Sequence, residues 1–139
     1  MKTYLTFTIA LVGLAGLSSC TKEYYSPPPS KTFIYTISTD DWAWDEGVLN
    51  QIYHDIDLPE LSDYYVDQGV VDVSISVDNE STYNILPATI MGTAYSVNYT
   101  TGFVTIYAED PIFSPEFEVP IPDRMITVKI TLSEADYIP

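Results

Sequence analysis

The chain has 139 residues, 46% of them hydrophobic, with 20 acidic side chains against 5 basic ones and a formal charge of −15. That length fits one domain, and the apolar content is too high for a disordered acidic tail. So negative a surface repels nucleic-acid phosphates and anionic headgroups, and no nucleic-acid partner is expected.

Lys2 precedes an apolar run from Leu5 to Leu17, and the small residues Ser18 and Ser19 follow. A basic start, a short apolar stretch and small residues make a secretory leader over 1–19, too short to remain as a spanning helix. Leu17-Ser18-Ser19-Cys20 resembles the lipobox of bacterial lipoproteins, in which the cysteine carries lipid and becomes the first mature residue. The resemblance implies that Cys20, the only cysteine, is the lipidation site and binds the membrane. Without the lipid, the same residues describe an exported protein with a lone thiol beside its cleavage site. One acyl chain anchors a protein marginally, at ~0.8 kcal/mol per buried methylene. The two or three chains that lipoproteins carry anchor it stably by the same arithmetic. No cofactor is expected.

Residues 20–30 form a tether. Ser26-Pro27-Pro28-Pro29-Ser30 favours extended polyproline geometry and offers few donors for pairing. Glu23 is a weak version of the acidic signal that sends some lipoproteins of Bacteroidota to the cell surface, so the membrane face stays open.

Residues 31–139 read as one β domain. Phe33, Tyr35 and Ile37 alternate with Ile34, Thr36 and Ser38. Leu49 to Asp57 is a weaker strand candidate. Pro59 to Gln68 reads as a short helix: proline suits a first turn, Glu60 favours the positive helix start, and Gly69 suits the C-terminal cap. Val71, Val73, Ile75 and Val77 alternate with Asp72, Ser74 and Ser76, the pattern of a strand with one wet face. Tyr83 to Ile90 is a weak strand that Pro87 forces to an edge or a break. Tyr95, Val97 and Tyr99, then Val104, Ile106 and Ala108, flank a hairpin turn at Gly102. Ile126, Val128, Ile130 and Leu132 mark a last strand. About seven strands with frequent turn signals predict an all-β antiparallel sandwich with one short helix, an immunoglobulin-like Greek key being the preferred order.

Three groups of phrases together resemble small outer-membrane lipoproteins of Bacteroidota. They are Ser38-Thr39-Asp40-Asp41-Trp42-Ala43-Trp44, Asp57-Leu58-Pro59-Glu60-Leu61 with Gly69-Val70-Val71, and Tyr83-Asn84-Ile85-Leu86-Pro87. A last strand ending in Ala135-Asp136-Tyr137 completes the likeness. It implies an envelope β-sandwich and brings no activity with it. No further C-terminal module is expected.

Trp42 and Trp44 are the only tryptophans, and a spacing of two puts both on one face of an extended segment. With Asp40 and Asp41 beside them they are the candidate ligand site: rings stack on apolar sugar faces while carboxylates accept hydroxyl hydrogen bonds. The bland reading closes the end of the sandwich with these rings. Asp40, Asp41, Asp45 and Glu46 lack the spacing of a calcium loop, and no metal site is expected. Asp55 and Asp57 share a face of an extended strand, away from His54. The lone His54 has no nucleophile or ligand set around it in sequence, and no catalytic residue is assigned. The expectation is a lipid-anchored, non-enzymatic binding or structural accessory that docks an envelope protein or a glycan. The alternative is a carbohydrate-binding module led by Trp42 and Trp44, and behind it a hydrolase using paired carboxylates. The twelve tyrosines suit half-buried strand faces and interfaces alike.

Overall fold

The computed structural model describes residues 30–47, 50–112, 118–135 and 138. The expected leader, the lipidation site Cys20, the tether up to Pro29, and Tyr137 lie outside the described residues. In chain order the strands are β1 (Lys31–Ile37), β2 (Ala43–Trp44), β3 (Gln51–Asp57), β4 (Val70–Ser76), β5 (Asn84–Ile85), β6 (Ala88–Ile90), β7 (Thr93–Thr100), β8 (Phe103–Glu109) and β9 (Ile126–Ser133). A 3-10 turn spans Thr39–Asp41, and one helix, α1, spans Asp63–Asp67.

The strands form two antiparallel sheets, in the orders β1-β9-β4-β5 and β2-β3-β8-β7-β6. This is the all-β sandwich expected from the alternation. Among the described residues nine strands replace about seven because β2 and β5 are two-residue pairings too short to show a period. The order is not the immunoglobulin one. There the first two strands lie side by side, whereas here β1 pairs with β9 and β2 lies in the other sheet.

The inner faces make one core. Ile126, Val128, Ile130 and Leu132 of β9 are fully buried and meet Ile37, Ile75, Ile52, Val104 and Ile106 from the strands of both sheets. Burial of the four β9 side chains alone is worth roughly 6–12 kcal/mol before ordering entropy is counted. Leu58 and Leu61, also fully buried, close the end beneath α1. The β7–β8 turn docks there: Leu58 N–H donates to the Gly102 carbonyl, and Gly102 N–H donates to the Leu61 carbonyl, each at 2.8 Å. Gly102 has φ +83°, a conformation a side chain would strain.

Two local expectations are corrected. The helix begins at Asp63, four residues after Pro59, because Leu58 and Leu61 are held in the core by a turn with Leu61 N–H on the Leu58 carbonyl. Gly69 does end the helix, following the C-cap Gln68 with its N–H on the Tyr64 carbonyl at 3.0 Å, and it also permits close packing: a Cβ there would lie 2.8 Å from the Tyr65 Cα. Ser74 and Ser76, expected in solvent, are buried. The segment after β4 folds back over that face, with Ser76 Oγ donating to Asp78 and Lys129 Nζ lying 3.4 Å above the Tyr83 ring. Pro87 does break its strand. β5 and β6 flank the Leu86–Pro87 bond, and each is the edge of a different sheet.

Candidate functional site

The outer face of the five-stranded sheet carries a row that crosses four strands. Ala43 of β2 faces Tyr53 of β3, Tyr53 faces Tyr107 of β8, and Tyr107 faces Ser96 of β7. The two tyrosine rings lie 6.4 Å apart and tilted by 41°. Small side chains at both ends of the row leave the rings standing above the sheet. The next row pairs Asp55 with Thr105, whose hydroxyl donates to Asp55 Oδ1 at 2.6 Å. One row to the other side, Gln51 Nε2 donates to Glu109 Oε2 at 3.0 Å. Cross-strand neighbours of this kind are held at fixed spacing by the ladder beneath them, so the platform is built on rigid backbone.

The loop after β2 adds a wall. Asp45 accepts Gly47 N–H through Oδ1 at 2.9 Å, and its own N–H donates to the Gln51 carbonyl. This turn brings Trp44, Asp45, Glu46 and Gly47 to the tyrosines. Together with Tyr53, Asp55, Thr105 and Tyr107 they line a groove of about 450 Å³. Among the described residues the groove's lining presents three aromatic rings, three carboxylates and no basic side chain. Stacked rings attract the apolar faces of flat or ring-shaped ligands. Ionised carboxylates only accept hydrogen bonds, so they select ligands rich in O–H or N–H donors.

The structure separates the two tryptophans. Trp44 lines the groove and is 44% exposed; Trp42 is 7% exposed and belongs to the core. They therefore do not form one platform, because the chain leaves the 3-10 turn with Trp42 directed inward against His54, ring centroids 6.5 Å apart. The Trp42 Nε1–H is buried with no partner among the described residues. His54 Nδ1 lies 2.9 Å from the Asp41 carbonyl, which fixes that nitrogen as the protonated one. Asp41 is occupied locally too, its Oδ2 accepting Ser38 N–H at 2.7 Å. Asp40 and Asp41 stay exposed in the 3-10 turn and outside the groove lining. Among the described residues no group of three or more His, Cys, Asp or Glu side chains is placed to hold a metal ion.

Tyr53, Tyr107, Asp55 and Thr105 were not singled out as one site by sequence reasoning. Their signal is a phase: Tyr53 and Asp55 alternate with buried Ile52 and Ile56, and Thr105 and Tyr107 with buried Val104 and Ile106. What the phase does not give is the register that places Tyr53 opposite Tyr107. No protein-family model matches this chain, and no curated protein or solved structure matches it. No helix among the described residues is long and apolar enough to cross a membrane.

Proposed function

We propose that this chain is a lipid-anchored module of the cell envelope that binds glycan, without turnover, in the groove formed by Trp44, Tyr53 and Tyr107. One observation carries the reading. Three aromatic rings and three carboxylates converge on an exposed, rigid sheet face, in a groove whose lining is mainly polar. Sites for drug-like molecules are mostly apolar and enclosed. A shallow, mainly polar groove with rings among its lining residues suits a sugar, which has apolar C–H faces and many hydroxyl donors. Asp55 keeps Oδ2 without a partner among the described residues, since Thr105 takes only Oδ1. That oxygen is available to a ligand hydroxyl. The absence of a basic side chain among the described lining residues favours neutral or aminated sugars over uronate or sulfated ones.

The lipid anchor at Cys20 supports this role by holding the groove close to envelope polymers, and the proline tether supports it by spacing the domain from the membrane. Titrating the full chain against a panel of neutral, aminated and acidic oligosaccharides tests the reading. Saturable binding of a non-acidic member, lost in Trp44→Ala and Tyr107→Ala, is expected. No response across the panel refutes it. Palmitate labelling that persists in Cys20→Ala refutes the anchor.

A further inference from the structure

We propose that one end of the sandwich holds a second binding site, for a small carboxylic acid with an apolar body, oriented by Arg124. A cavity of about 330 Å³ opens between the end of β4, the β6–β7 hairpin and residues 120–126. It shares no lining residue with the aromatic groove. Val77, Ile90, Pro122 and Ile126 supply apolar wall. Ile126 is fully buried, and Val77 and Ile90 pack on the same core. An apolar ligand here would extend the core outward, and the hydrophobic effect would favour its entry.

Four polar groups interrupt that wall: the Thr93 hydroxyl, the Tyr95 phenol, the Arg124 guanidinium and the Asp123 carboxylate paired with it. Thr93 and Tyr95 are two apart on β7, are both buried, and share the inner phase of the strand. Burial raises the Tyr95 phenol above its usual value of 10, against smaller opposing effects of Thr93 and Arg124. The phenol therefore keeps its proton at neutral pH and offers an O–H donor. Arg124 is the only arginine in a chain with 20 acidic residues. Its Nε donates to Asp123 Oδ1 at 3.1 Å. Neither Nη group has a partner among the described residues.

An always-charged fork of donors on one side and aliphatic wall on the other match the two halves of a monocarboxylate. Its planar oxygens take parallel N–H bonds from a guanidinium. A dianionic head group is disfavoured, because Asp123 stands beside the same arginine. The volume equals roughly eleven waters at ~30 Å³ each, which accommodates a body of about eight carbons. The matching probe is octanoate.

The test is a titration of the full chain, followed through backbone amide NMR shifts, with octanoate, octanamide and octylammonium in parallel. Saturable shifts at Thr93, Tyr95 and Ile126 are expected with octanoate, with octanamide at least tenfold weaker and octylammonium weaker still. Arg124 is half-exposed, so Arg124→Gln should fold, and in it octanoate and octanamide should bind equally. The proposal is overturned if octanoate gives no saturable response, if the amide or the amine binds as well as the acid to the unaltered chain, or if Arg124→Gln keeps the acid preference. The comparison of acid with amide needs no variant and stands even if Arg124→Gln is unstable.

Discussion

Replacing each tryptophan in turn should have opposite consequences, although the two are separated by a single alanine. Trp42 is 7% exposed in the core, and Trp44 is 44% exposed on the groove. Trp42→Ala removes a large buried ring and leaves a cavity, a change that costs ~3–5 kcal/mol. At ~4–8 °C per kcal/mol for a domain of this size, the melting temperature should fall by roughly 12–40 °C. Trp44→Ala should stay within ~0.5 kcal/mol of the unaltered chain, since an exposed side chain contributes little packing. Trp42→Phe refines the test. It shrinks the ring but also removes an N–H that is buried without a partner among the described residues, and relief of that group is worth ~1–3 kcal/mol. The two effects oppose, so Trp42→Phe should cost far less than Trp42→Ala. Far-UV circular dichroism melts of the three variants give the comparison without relying on tryptophan emission. Equal losses for Trp42→Ala and Trp44→Ala would refute the division between core and groove. A Trp42→Phe loss as large as that of Trp42→Ala would mean that the indole N–H is satisfied.

Gly69→Ala should cost ~1–3 kcal/mol in urea unfolding, because the added Cβ meets the Tyr65 backbone at 2.8 Å and the Ser133 carbonyl at 3.1 Å; an unchanged midpoint would show that the junction of α1 and β4 gives way freely. Met91→Asn should stabilise by ~0.5–1 kcal/mol in the same assay, since Met91 and Gly92 form the two-residue β6–β7 turn with φ +51° and +85° and asparagine tolerates that region better than methionine. Thr82 and Ser76 hydrogen bonds lower the Asp78 carboxyl from 3.8 to about 2. Because the folded value is depressed, its contribution is present above about pH 4 and is lost as pH falls toward 2. Melting curves of Asp78→Asn should therefore show a shallower loss between those pH values than the unaltered chain, and identical acid limbs would contradict the assignment.

The class of fold was legible because alternation survives in the strands that bear most of the core. Ile126, Val128, Ile130 and Leu132 read inward in the sequence and are all fully buried. The β7–β8 hairpin was legible from Gly102 for the same kind of local reason. The β6–β7 turn was not, because its first residue is methionine, which gives no turn signal. The fate of Ser74 and Ser76 was hidden as well: their burial depends on a loop held by Asp78, a tertiary event outside the strand's own pattern. Half of the candidate groove was readable. Trp44 stood out by type, but its partners Tyr53 and Tyr107 lie 54 residues apart and meet only through the β3–β8 register. Trp42 misled because strand periodicity was extended through a 3-10 turn and a two-residue strand, where it does not hold. Arg124 and Tyr95 come together only when the end of the sandwich is built.

The measurement that bears most directly on the glycan groove is a chemical-shift map of the full chain with its tightest-binding oligosaccharide. Saturating shifts centred on Trp44, Tyr53, Asp55, Thr105 and Tyr107, with the inner-phase residues Ile52 and Ile106 little moved, are the predicted result. Shifts centred on the four-stranded sheet, with those five residues silent, would contradict it.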